Sequence, residues 1–131
     1  MTQPDLKTGR VFKSALFAKA ARKAGLTDET LCKAIRQVLQ GQADDLGGGV
    51  FKKRLNENRH RAIILAKGGS HWFYEYLFAK KDRDNIEDDE LVAFRKLAKA
   101  YGRATDLQLK NLLKNKDLVE ICHGGEAQIQ E

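Results

Sequence analysis

Proline is nearly missing: Pro4 is the single one in 131 residues, so no later element is broken by a ring that lacks an N–H. Cysteine is scarce as well. Cys32 and Cys122 fall in no metal-ligand or redox spacing. Two isolated cysteines read as thiols of a reducing compartment, hence of a cytoplasmic protein, with a disulfide between them as the minor alternative. Long apolar runs are absent. Leu16-Phe17-Ala18 is flanked by lysines and is far short of the ~18 residues that a membrane span needs, and no signal peptide is visible. The histidines His60, His71 and His123 have no partner four residues away, which excludes the common helical metal pairs. No Gly-Lys-Ser/Thr follows Gly47-Gly48-Gly49, no dinucleotide fingerprint occurs, and Ser14, Ser70 and the cysteines lack a nucleophile elbow. Neither a metal nor a cofactor is expected.

What is present is positive charge. The net charge is +6, which favours a polyanionic partner, and the charge is segregated. Lys52, Lys53, Arg54, Arg59, Arg61 and Lys67 stand against the single Glu57, whereas the balance reverses from Asp82 to Glu90. A localised basic cluster is the footprint that phosphate binding requires. The length fits one domain over 1–131, with 1–9 and 124–131 loose at the ends.

Read in order, the spacing of Phe12, Ala15, Leu16 and Ala20 predicts a helix over Val11–Ala24 ending at Gly25. Thr27 caps a second helix, with Asp28 and Glu29 in its first turn and Leu31, Ile35, Val38 and Leu39 on one face; Gly41 ends it. The pair reads as an αα-hairpin rather than a DNA-reading motif, because Asp28 and Glu29 would repel phosphates. Gln42–Gly49 reads as a loop whose glycines permit close approach of backbone to backbone or to phosphate. Three antiparallel strands follow: Val50–Leu55, Arg61–Ala66 and His71–Ala79, joined by the Asn56-Glu57-Asn58 turn and the Lys67–Ser70 hairpin.

RAIILA is apolar throughout and belongs at the centre of the sheet, buried on both sides. Strict alternation sends Trp72, Tyr74, Tyr76 and Phe78 to one face and His71, Phe73, Glu75 and Leu77 to the other. Such an aromatic stripe is core or, where tyrosine hydroxyls reach a basic groove, a stacking platform. A third helix over Glu87–Tyr101 is capped by Asn85 and stopped by Gly102, with Leu91, Phe94, Ala98 and Tyr101 buried. Thr105 caps a fourth over Asp106–Lys114, and Leu118–Cys122 adds a last strand. The sum is an α+β fold: two N-terminal helices packed on a small twisted antiparallel sheet of roughly three or four strands, with helices at the C-terminal end.

A basic, aromatic surface of this kind can bind single-stranded nucleic acid through phosphates and stacked bases. It can also cut RNA. That reaction needs a 2′-OH deprotonated, charge stabilised on the phosphorane and the leaving 5′-oxygen protonated. Arginine and lysine supply the charge, and a lysine crowded by cations has a lowered pKa and can act as base.

The run LGGGVFKKRL, then RAIILA, then YLFAKKDRDNI followed by DDEL resembles the RelE/ParE/HigB superfamily of toxins from type II toxin–antitoxin modules, over about Arg10 to Glu120. The resemblance implies helices on a twisted sheet, a metal-independent mRNA interferase, often acting on the ribosome, and a partner antitoxin, commonly a helix-turn-helix protein encoded by the neighbouring gene. Carried over by position, it implies Lys53 or Lys81 for proton transfer and Arg54 and Arg61 for phosphate stabilisation. Lys52, Lys80, Arg59 and Tyr76 would bind RNA. Phe78 stands where many relatives have tyrosine, and the loop before Arg61 is short. The superfamily also contains gyrase inhibitors and inactive members, so a ParE-type toxin and a non-catalytic nucleic-acid-binding regulator are the alternatives.

Overall fold

The computed structural model, which describes residues 9–68 and 70–122, begins with a strand, not a helix. β1 spans Arg10–Ser14 and α1 Ala15–Ala24. The predicted Val11–Ala24 helix is corrected at its first turn. Val11 and Phe12 are completely buried on opposite faces of the sheet, because β1 lies between two strands distant in sequence. Ser14 then caps α1, its Oγ accepting from the Phe17 N–H. The helix buries Phe17 and Ala21, while Leu16 is 71% exposed. A local pattern cannot foresee a strand whose partners arrive sixty and more residues later.

α2 (Asp28–Leu39) follows on its Thr27 cap. β2 (Asp44–Gly47), β3 (Val50–Leu55), β4 (His60–Lys67) and β5 (His71–Ala79) come next. α3 (Asp88–Arg103), α4 (Asp106–Lys114) and β6 (Leu118–Ile121) complete the order. The strands form one six-stranded sheet, β2-β3-β4-β5-β1-β6, in which β1 pairs parallel with β5 and the other pairings are antiparallel. The expected small antiparallel sheet is therefore larger and mixed. β1 and β6 extend it past β5, and the reach predicted as a loop at Gln42–Gly49 contains β2. α3 begins after Glu87, not Asn85. Glu90 Oε1 accepts from the Glu87 N–H, which outcompetes Asn85, whose Oδ1 accepts from the Ile86 N–H. Gly102 lies inside the helix and does not stop it.

β4 is central, as its composition predicts. Ala62 and Ile64 join the core under α1 and α2, while Ile63 and Leu65 join the core under α3 and α4. Full burial of each of the larger side chains is worth about 1.5–3 kcal/mol. The expected alternation of β5 fails at one residue. Ile63 pairs with Tyr76 and Ile64 with Tyr74, leaving Glu75 as a bulge. An extra residue reverses the sides of everything after it. Trp72 and Tyr74 thus face α1 and α2, where the Tyr74 hydroxyl donates to the Leu31 carbonyl at 2.7 Å, but Tyr76 and Phe78 face α3 and α4.

The two cysteines are joined. Cys32 in α2 and Cys122 just past β6 form a disulfide with Cα atoms 5.4 Å apart. This overturns the reading of two separate thiols, which rested on spacing along the chain, whereas the bridge closes a separation of 90 residues. No helix among the described residues is long and apolar enough to cross a membrane. The expectations for 1–8, for Gly69 and for the tail from His123 lie outside the described residues.

Candidate nucleic-acid interface

Strand alternation sorts the basic residues of β3. Val50 belongs to the core under α3 and Phe51 and Leu55 to the opposite one. Lys52 and Arg54 therefore share the α3 face, and Lys53 points to the α2 face. Arg54 pairs directly with Arg61 of β4, and Arg61 pairs directly with Phe78 of β5. One row across three strands thus carries two guanidinium groups and a phenyl ring. The next row carries Lys52, Ile63 and Tyr76.

Arg61 is 7% exposed. Its Nη1 donates to the carbonyls of Asn58 at 2.9 Å and His60 at 3.2 Å. The turn that presents these carbonyls is unusual: Asn56, Glu57 and Asn58 have φ of 55°, 55° and 71°. Asparagine tolerates this left-handed region, but glutamate does so at a cost. No carboxylate forms an ion pair with Arg54 or Arg61 among the described residues. Two like charges placed opposite each other with no anion between them repel.

The remaining predicted residues separate. Lys52 is drawn to Asp44 on β2, Nζ to Oδ2 at 3.7 Å. Lys53 is 8% exposed, and burial, reinforced by Arg54, lowers its pKa from the usual lysine value. It is the lysine best suited to lose a proton, yet it rises from the face opposite Arg54 and Arg61. Arg59 curls onto its own turn, donating from Nε and Nη2 to the backbone and side-chain oxygens of Asn56. Lys80 and Lys81 are exposed in the turn after β5, and the Lys80 N–H donates to the Arg59 carbonyl at 2.9 Å. This brings that turn beside His60, whose pKa is lowered by burial and then by Arg59 and Lys81. The Arg54–Arg61 pair and the turn carrying Lys81 thus lie at the same end of the sheet, although the charge of Lys81 is felt at His60, which pairs with Leu55 of the α1/α2 core.

Tyr76 does not stand open. Arg83, a residue the sequence reading did not single out, lies over Tyr76 and Phe78, its Cζ 5.9 and 5.5 Å from the ring centroids. Its Nη1 donates to the Tyr76 hydroxyl, and its guanidinium grips both oxygens of Glu90. Arg83 lies outside any helix or strand, so its seven-residue distance from Glu90 carries no signal for this clamp. Gly48 brings the β2–β3 turn against α3, where a Cβ would lie 2.7 Å from Arg95 Cγ.

The family described as the RelE toxin of the RelE/RelB toxin–antitoxin system matches residues 9–121. No curated protein matches the chain, and no solved structure does.

Proposed function

We propose, from the premise that this chain belongs to the RelE toxin family, that it is the RNA-cutting toxin of a toxin–antitoxin module. One observation carries the reading: Arg54 and Arg61 are direct cross-strand neighbours, and among the described residues no carboxylate pairs with either. A phosphate placed there turns a repulsion into two charge-assisted contacts. The phosphorane carries more charge on its equatorial oxygens than the ground state does, so the same pair stabilises the transition state more than the substrate.

In this reading the 2′-OH loses its proton, the 2′-oxygen bonds to phosphorus and the P–O5′ bond breaks. The 5′-oxygen takes a proton, leaving a 2′,3′-cyclic phosphate and a 5′-hydroxyl. Arg54 and Arg61 hold the phosphate. Lys81 gives a proton to the leaving 5′-oxygen while water accepts the one lost by the 2′-OH, and Lys52, Lys80 and Arg59 extend the cationic track. Lys53 is assigned no contact with RNA, since its side chain leaves from the other face. A base stacks on Tyr76 once Arg83 moves off the ring.

The test is incubation of the purified protein with ribosome-bound message and with bare RNA, with and without chelator. Cyclic-phosphate ends should form in both metal conditions. The R54A/R61A variant should cut at least about 10²-fold more slowly, and K53M should stay within about threefold of the parent. Undiminished cutting by R54A/R61A would overturn the assignment. A second reading, a non-catalytic RNA binder, is favoured by the Arg83–Glu90 clamp over Tyr76 and by the absence of a hydroxyl at Phe78. Salt-sensitive RNA binding with no cleaved product in any condition would select it.

A further inference from the structure

A second basic patch lies on the same α3 face, beyond the Lys52 row from Arg54 and Arg61. Between α3 and the β2–β3 turn runs an open groove of about 520 Å³. Gly48, Ala66 and Ala98 form its floor, and Val92, Arg95, Lys96 and Lys99 form its wall on α3. The wall residues recur at helical spacing, so they share one flank. The groove adjoins the start of β3, four residues before Arg54, or ~13 Å along an extended strand.

Its chemistry differs from that of the row. No aromatic residue lines it, so consecutive bases find no stacking platform there. Val92 is 48% exposed at the rim. Arg95 is held in place by donating to the Leu46 and Gly47 carbonyls. Lys96 and Lys99 are exposed and form no hydrogen bond or ion pair among the described residues. An apolar floor beside one exposed valine, rimmed by three cations, matches an apolar side chain flanked by carboxylates. A bare phosphate backbone would use the three cations but leave the apolar floor unfilled.

We propose that this groove docks an acidic segment of a partner protein, seated by an apolar side chain on Val92 and Ala98 and held by Arg95, Lys96 and Lys99. Identifying that partner as the antitoxin rests on the family assignment alone; the docking itself is independent of RNA cleavage.

The test is fluorescence anisotropy on the full chain with three labelled probes: a short peptide of alternating leucine and glutamate, the same peptide with glutamine for glutamate, and a short single-stranded RNA. The acidic peptide should bind and the glutamine peptide should not. K96E/K99E should weaken the acidic peptide by about tenfold or more and V92S by a smaller factor, with RNA affinity changed less than peptide affinity. R54A/R61A should do the reverse. Failure of the acidic peptide to bind, equal binding of the glutamine peptide, or a larger loss of RNA than of peptide in K96E/K99E overturns the proposal. If R54A/R61A leaves RNA binding intact while K96E/K99E loses the peptide, the RNA reading fails and the docking surface stands.

Discussion

Arg61 is a charge prepared by its neighbours. A buried guanidinium without a counter-ion is costly, and the two carbonyls that hold it offset only part of that cost. In the proposed function an incoming phosphate offsets the rest. The supporting turn has its own cost, since Glu57 sits at φ 55° where glutamate is strained. Replacing it with glycine, E57G, should raise the stability measured by urea unfolding by about 1 kcal/mol. Cleavage should persist, because the Asn58 carbonyl keeps its place. Lys53 shows the limit of reading residues one at a time. Its neighbours in sequence made it a candidate base, and its environment does disfavour the ammonium form, but one step along a strand is a change of face.

At the scale of elements, two irregular features shape the candidate site. The bulge at Glu75 turns Tyr76 and Phe78 toward Arg61. The Glu75 carboxyl, accepting from the Tyr101 hydroxyl at 3.2 Å, has its pKa raised above the usual carboxylate value by burial, which the hydrogen bond only partly opposes. A raised native pKa means the folded state holds this proton more tightly than the unfolded chain. Its stability contribution is complete below the unfolded value of about 4.5 and is lost as pH rises through the native one. E75Q should therefore raise the melting temperature at pH 8 but not at pH 4, as differential scanning fluorimetry would show. The second feature is the turn at Gly48, with φ of 65° and Arg95 pressed against it. G48A should cost roughly 1–3 kcal/mol in urea unfolding, since both the backbone and the Arg95 stem must shift. Helix starts with a capping hydroxyl at Thr27 and Thr105 were legible, because a cap is a local bond. The Asn85 cap was not, because Glu87 and Glu90 compete for the same helix end.

Across the whole molecule, the Cys32–Cys122 bridge ties α2 to the end of β6 on the α1/α2 side. Closing a loop of 90 residues restricts the unfolded chain by ~4–5 kcal/mol in the entropic account. The C32S/C122S variant, or the parent in reductant, should lose stability of that order in urea unfolding. An unchanged midpoint would show that the bridge adds nothing to folding. The sequence by itself determined the local terms: which segments are strands from β3 to β5, where the helices Asp28–Leu39 and Asp106–Lys114 lie, that β4 is central, and that cations cluster around it. Those follow from side-chain periodicity and short-range bonds. Tertiary structure alone decided which cations share a face, because that depends on pairing register. It also placed β1 beside β5, closed the disulfide and laid Arg83 over Tyr76, because each joins residues whose separation along the chain says nothing about their separation in space.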